Sequence, residues 1–293
     1  MTTADAPNHA EPRKPRDDEL DVWGLTHVGK VRKANQDHFL LATIHKRVQV
    51  HLTSLTDQQR LPFGDERLAV IAMIADGVGG GEGGERASAT ALEIATQYVV
   101  SSAKLYFSAD STEATFIDAL QGAAMRCHDA VLARAKAEGV TRSMATTLTL
   151  WMGVWPWFYL LQVGDSRYYL FREGQLTQVT RDQTLAQDLV DQGVFTRSVG
   201  ERSRFAHVLS SAIGGEQTLP VVTRLKSEWH IVHLLCSDGL TKHVSDEQIA
   251  ERLRTMTSAK QVCEQLLQDA LDGGGTDNVS MIIGRAVPKA PPA

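Results

Sequence analysis

The order of segments predicts an α+β fold in which antiparallel sheets are covered by helices. Short β-like runs come first, two long amphipathic helical stripes follow one another directly, and helices and strands then alternate to the end. Two successive helices with no strand between them argue against a repeating βαβ chain, and the sequence holds no internal repeat.

Val22 to Leu25 leads through Gly29 into Phe39 to Ala42, read as a first pair of strands. His45 to Arg67 is polar and aperiodic, which predicts a surface excursion. Leu68 to Ala75 (LAVIAMIA) is an apolar run typical of a buried strand, and it ends at Asp76. Within Glu85 to Lys104, Ala87, Ala91, Ile94, Ala95, Tyr98 and Val99 share one helical face. Phe116, Leu120, Ala123, Ala124, Cys127 and Val131 share the next. Thr146 to Trp151, Phe158 to Val163, Tyr168 to Phe171 and Leu176 to Val179, with turns near Pro156 and at Glu173-Gly174, predict an antiparallel meander. Gln183 to Gly215, rich in Gly, Ser and Arg, predicts a short helix and then a mobile loop. Trp229 to Cys236 and Val279 to Ile283 add strands. Ser245 with Gln248 opens a helix through a capping box, and Ala259 to Leu271 is another helix.

With 293 residues and 43% apolar content the chain can bury one large core. We expect one folded domain over 20–286, between a disordered N-terminal tail, 1–19, with Pro7, Pro12 and Pro15 among charges, and a flexible C-terminal tail, 287–293. Lys plus Arg number 30 against 35 Asp plus Glu, so the basic excess of a nucleic-acid binder is missing. Cys127, Cys236 and Cys263 form no CxxC pair, which fits a reducing compartment. No apolar run reaches the roughly 18 residues of a membrane span, and Trp151 to Val163 is broken by Pro156 and Gln162. The expectation is a cytoplasmic protein with neither a signal peptide nor a membrane anchor.

The chemical signal lies in aspartates at the ends of apolar runs: Asp76 in AMIADGVGG, Asp165 in LQVGDSRYY, Asp238 in LLCSDGL and Asp277 in GGTDNVSMII. Aspartate is depleted inside strands, so its recurrence at their ends suggests carboxylates converging at one edge of the sheets. Any one Asp-Gly pair alone reads better as a turn; the set reads as a site. Converging carboxylates repel unless cations sit among them, and an all-oxygen set suits magnesium or manganese better than zinc. Asp37 follows Arg32 in VRKANQDHF, which would set a phosphate-binding guanidinium near a metal-ligating acid.

The words RKANQD, IADGVGG, SMATTL, VGDSR, CSDGL and GTDNVS follow one another between Asp21 and Ile283. In these motifs and their order the chain resembles the metal-dependent protein phosphatase family, type 2C, in its bacterial form. The resemblance implies a β-sandwich flanked by helix pairs, and a catalytic domain hydrolysing phosphoserine and phosphothreonine on proteins phosphorylated by Ser/Thr kinases. It implies that Asp76 bridges two Mn2+ or Mg2+ ions, one held by Asp238 and Asp277 and the other by Asp37 and the Gly77 carbonyl. Asp165, with Asp238, matches the place of a weaker third ion. Arg32 matches the arginine that grips substrate phosphate, and Asn278 would orient Asp277. The nucleophile would be a metal-bridged hydroxide in line with phosphorus. Val78 stands where many eukaryotic members carry a proton-donating histidine, and Asp182-Gln183 where the family often has Asp-His. Val194 to Gly215 corresponds to the family's flap, whose Arg197, Arg202 and Arg204 read first as a solvated cluster and otherwise as contacts for acidic or phosphorylated partners.

Rival readings are weaker. Gly79, Gly81 and Gly84 spell GxGxxG, but a second helix follows where a dinucleotide fold needs a parallel strand. A phosphopeptide-binding pseudophosphatase would require a decayed metal site, against which stand Asp37, Asp76, Asp238 and Asp277. The ten histidines are scattered, and His230 and His233 are read in one strand facing opposite ways. Ser166 lacks an arguable base, and Trp151, Trp155 and Trp157 read as packing.

Overall fold

The computed structural model describes residues 13–47, 65–79, 82–103, 112–140 and 144–289. In chain order the elements are β1 (Leu20–His27), β2 (Asp37–Arg47), β3 (Asp65–Val78), α1 (Glu82–Ser101), α2 (Glu113–Ala137), β4 (Ala145–Thr146), β5 (Leu148–Val154), β6 (Trp157–Val163), β7 (Arg167–Arg172) and β8 (Gln175–Gln178). Then come α3 (Leu185–Asp191), α4 (Arg197–Glu201), β9 (Val221–Lys226), β10 (Val232–Cys236), α5 (Asp238–Thr241), α6 (Asp246–Arg254), α7 (Ala259–Asp272) and β11 (Val279–Ala286). One sheet runs β1-β11-β10-β7-β8, the other β2-β3-β5-β6-β9 with β4 appended to β3.

The sheets stack face to face, with helices on the outer faces, and strand periodicity explains the layering. On β3, Ala69, Ile71, Met73 and Ala75 pack with Ala87, Ala91 and Ala95 of α1 and Leu120 and Cys127 of α2. The intervening Ala72 and Ile74 face Tyr168, Leu235 and Ile282 of the other sheet. Leu234 and Met281 pack outward on Ile249, Leu253, Val262 and Leu266 of α6 and α7. A strand buried on both faces needs apolar side chains at nearly every position, which is why β3 reads as an unbroken run.

Several expectations change. β1 and β2 are not partners: β1 pairs with β11 and β2 with β3, in different sheets. The meander is likewise divided, for β5 and β6 pair in one sheet while β7 pairs with β10 and β8 in the other. Alternation in sequence specifies a strand's faces and says nothing about its partner, so both crossings escape it. Glu173 and Gly174 do form the expected turn, with φ of 51° and 80°. Val221–Lys226, not anticipated, is an edge strand beside β6. His230 lies outside β10 with φ of 67°, so only His233 is a strand residue. Of the excursion at 45–67, residues 45–47 and 65–67 extend β2 and β3, and 48–64 lie outside the described residues.

The N-terminal tail, expected to reach residue 19, lies outside the described residues only for 1–12; 13–19 are folded. Glu19 is buried, taking two hydrogen bonds from Arg13 at 2.7 and 2.6 Å and the amides of Arg16 at 2.8 Å and Lys289 at 3.1 Å. The last of these also ties residue 289 of the expected C-terminal tail to the fold, while 290–293 lie outside the described residues. Arg67 reaches Asp17 and the Pro15 carbonyl, closing the strap over β3. Among the described residues all ladders are antiparallel, which removes the dinucleotide-fold reading. The three cysteines are free and buried, and no described helix is long and apolar enough to cross a membrane.

Between the sheets His233 packs on Trp151 and Phe158, at ring centroid distances of 5.1 and 5.2 Å, with Nδ1 2.7 Å from the Tyr168 hydroxyl. Burial lowers its pKa from 6.5 to about 4. The unfolded imidazole therefore binds protons between these values while the folded one does not. This contribution is complete above pH 6.5 and is lost toward pH 4, by up to about 3 kcal/mol. Denaturant midpoints across this range should fall less steeply with acid in His233→Gln than in the parent.

Candidate active site

The active-site candidates come together at one end of the sandwich because antiparallel pairing sets the start of one strand beside the end of its neighbour. Asp37, first in β2, stands opposite Asp76 near the end of β3. Asp165 lies where the chain leaves β6 for β7 and so crosses between sheets. Asp238 follows β10 at the start of α5, and Asp277 precedes β11. The pairing of Cys236 with both Arg167 and Met281 puts the last three at the same end of their sheet.

Hydroxyl side chains brace these acids. The Asp76 amide donates to Thr147 Oγ1 at 3.0 Å, and its carbonyl accepts from the Thr147 amide at 2.9 Å and the Thr146 hydroxyl at 2.8 Å. Ser237 Oγ donates to Asp37 Oδ2 at 2.7 Å and accepts the Ser280 amide at 3.0 Å. Asp37 Oδ1 is buried with no hydrogen-bond partner among the described residues. Gly77 permits the close approach behind the acids, since a Cβ there would collide with the Gly84 carbonyl at the start of α1.

Burial raises the Asp76 carboxyl well above the ordinary carboxylate range, and the charges of Asp37, Asp238, Asp165 and Asp277 raise it further. Asp37 is pushed up to about 6 by burial and the charge of Asp238, against the Ser237 hydrogen bond. Burial and the charges of Asp238 and Asp182 also push Asp165 up. Asp277 differs: burial raises it, but Arg32 and Lys242 outweigh burial and hold it below its usual value. Arg32 grips Asp277 through two bonds, Nε to Oδ1 at 2.7 Å and Nη2 to Oδ2 at 2.8 Å. Lys242 Nζ lies 2.6 Å from Asp238 Oδ2 and 2.7 Å from Asp277 Oδ2.

The donor set fits hard divalent cations, being all oxygen, crowded with like charge and including the unpartnered Asp37 Oδ1. As the side chains stand, no group of three or more His, Cys, Asp or Glu among the described residues is arranged to hold an ion. Two of the acids instead point at Lys242 and Arg32.

Beside Asp165 and Asp238 opens a cleft of ≈ 610 Å³, walled by Arg167, Asp182, Arg197 and His207 and by the start of α6. Arg167 holds Asp182 through three contacts of 3.0, 3.1 and 2.7 Å. Gln183 locks the crossing, accepting the Gly164 amide at 2.7 Å and donating to the Leu219 carbonyl at 2.9 Å. Of the flap arginines only Arg197 lines this cleft; Arg204 lies over the Phe205 ring, and Arg202 donates to the Ser198 carbonyl at 3.0 Å.

Asn278 does not touch the Asp277 carboxylate through its side chain; its amide donates to Asp277 Oδ1 at 3.0 Å. The side chain instead accepts the Gln36 amide at 2.9 Å and donates to the Val28 and Ala34 carbonyls, each at 3.0 Å, pinning the loop that carries Arg32. Ser166 is buried 2.8 Å from Thr147 Oγ1, a structural contact. Sequence reading missed Ser237, Thr147 and Lys242. The spacing of Lys242 four residues after Asp238 was the signal available for the last.

The model of the family described as protein phosphatase 2C matches residues 56–273. Serine/threonine protein phosphatase PstP of Mycobacterium tuberculosis is 33% identical over 219 residues, covering 75% of this chain and 41% of the relative. The chain thus spans about two-fifths of that protein's length. Serine/threonine phosphatase stp of Listeria monocytogenes is 26% identical over 214 residues, covering 73% of this chain and 83% of the relative. The crystal structure of the PstP catalytic domain in complex with two manganese ions superposes with a TM-score of 0.70 at 29% identity, covering 92% of this chain and 99% of that one.

Removing the Asn278 side chain takes away the oxygen that accepts the Gln36 amide and the two bonds to the Val28 and Ala34 carbonyls, and so unties the Arg32 loop. Asn278→Ala is expected to cost about 1–3 kcal/mol of stability. Hydrogen exchange should show lost protection at Gln36, and unchanged protection would deny the side chain this role.

Proposed function

Because the chain belongs to the protein phosphatase 2C family, we propose that it is a metal-dependent protein serine/threonine phosphatase, acting on phosphoserine and phosphothreonine placed by Ser/Thr kinases. The observation that carries this reading is the delivery of Asp37, Asp76, Asp165, Asp238 and Asp277 from both sheets to one end, beneath the half-exposed Arg32.

In this reading Asp76, Asp37, Asp238, Asp277 and the Gly77 carbonyl hold two Mn2+ or Mg2+ ions, and Asp165 with Asp238 holds a weaker third. When bound, such ions lower the pKa of water to supply the nucleophile and neutralise charge building on the phosphate. The protein's part is positional. Ser237 and Thr147 keep Asp37 and Asp76 facing each other, and Asn278 keeps the Arg32 loop over them. Arg32 exchanges Asp277 for two phosphate oxygens, holding the phosphorus in line for attack. Val78, half exposed after Gly77, offers no proton, so the leaving oxygen takes one from water. The cleft beside Asp165 and Asp238 receives the peptide around the phosphorylated residue. The place of action is the cytoplasm.

The test is release of phosphate from a small aryl phosphate and a phosphothreonine peptide, with Mn2+, without it and with chelator. Metal-dependent release from both, abolished by chelation, is expected; no release from a folded protein under any metal would overturn the proposal. Asp76→Ala and Asp238→Ala should each abolish turnover while circular dichroism stays unchanged. Arg32→Ala should raise KM for phosphopeptides about ten- to hundredfold, and unchanged kinetics would remove its phosphate role.

A further inference from the structure

Lys242 leaves α5 one turn after Asp238, and the i, i+4 spacing brings its ammonium back over that carboxylate. Nζ sits 2.6 Å from Asp238 Oδ2 and 2.7 Å from Asp277 Oδ2, joining an acid that follows β10 to one that precedes β11. The lysine side chain is 21% exposed, and the two acids are 17% and 16% exposed. These contacts are therefore shielded from the screening that weakens surface pairs. Arg32 holds Asp277 from the other side. With Asp238 and Asp277 turned toward these cations, no three acids among the described residues are arranged to hold an ion.

An oxygen that accepts an ammonium at 2.6 Å cannot also ligate a divalent ion at about 2.1–2.2 Å without pressing +1 and +2 charges together in a poorly solvated site. We infer that Lys242 is an internal cation that holds Asp238 and Asp277 together in the metal-free protein and competes with a divalent ion for their oxygens. Loading then exchanges an ammonium for a metal ion, and the affinity of the site is set partly by how firmly Lys242 holds on. The lysine pre-assembles the acids, so they do not repel one another apart, at the cost of weaker metal uptake. This rests on the reading that Asp238 and Asp277 are metal ligands.

The test reads binding rather than catalysis. Calorimetric titration of the chelator-stripped full chain with Mn2+ is compared for parent, Lys242→Met and Lys242→Gln, alongside melting temperatures without metal and at saturation. With the competitor removed, both variants are expected to bind Mn2+ about tenfold more tightly. Both should melt below the parent without metal and close to it at saturation. A parent that takes up Mn2+ while both variants bind it equally or more weakly overturns the inference and leaves the phosphatase reading standing. A parent that takes up no Mn2+ overturns both.

Discussion

Everything at the working end of this molecule follows from the repulsion among carboxylates that the fold forces together. Asp37 and Asp76 face each other across a strand pair, and Asp165, Asp238 and Asp277 arrive from crossings and strand ends nearby. Burial and mutual charge lift the carboxyls of Asp76, Asp165 and Asp37 well above their usual range. A protein can sustain such a cluster by protonating it or by placing cations in it. Lys242 and Arg32 do the latter for Asp238 and Asp277, whereas Asp37 Oδ1 is left with no partner among the described residues.

The rest of the fold keeps that cluster from dispersing. Two sheets share an apolar interface built by Ile74, Phe158, Tyr168, Leu235 and Ile282, so the ends of strands from different sheets cannot drift apart without opening the core. Each helix pair covers the outer face of one sheet. Short polar side chains then do fine positioning: Ser237 and Ser280 join the ends of β10 and β11, and Thr147 joins β3 to the crossing at Ser166. Ser237 and Thr147 each bridge two neighbours through one hydroxyl.

Much of this was legible in the sequence because its cause is local. LAVIAMIA has the pattern typical of a strand covered on both faces, as it is, and the helical stripes of Ala87 to Val99 and Phe116 to Val131 face the core as their spacing requires. Partnership between strands is not local, which is why β1 with β2, and the hairpins around Asp165, were read as neighbours when the chain in fact changes sheet. The aspartates announced themselves by sitting where strands end. Lys242, Ser237 and the loop-holding side chain of Asn278 did not, because lysine after a helix start, serine after a strand and asparagine in a turn are ordinary residues until their partners are known. The folded segment 13–19 was hidden for a similar reason: a run rich in proline and charge carries no apolar period, and its order comes from Glu19 and Arg67 meeting partners distant in sequence.

The central claim is that these strand-end acids form one divalent-cation site. Crystals soaked in Mn2+ and measured at the manganese absorption edge test it most directly. The account predicts two strong anomalous peaks within coordination distance of Asp76, one shared with Asp37 and the Gly77 carbonyl and the other with Asp238 and Asp277. Crystals whose anomalous maps are flat between these residues, or whose manganese lies elsewhere, would contradict it.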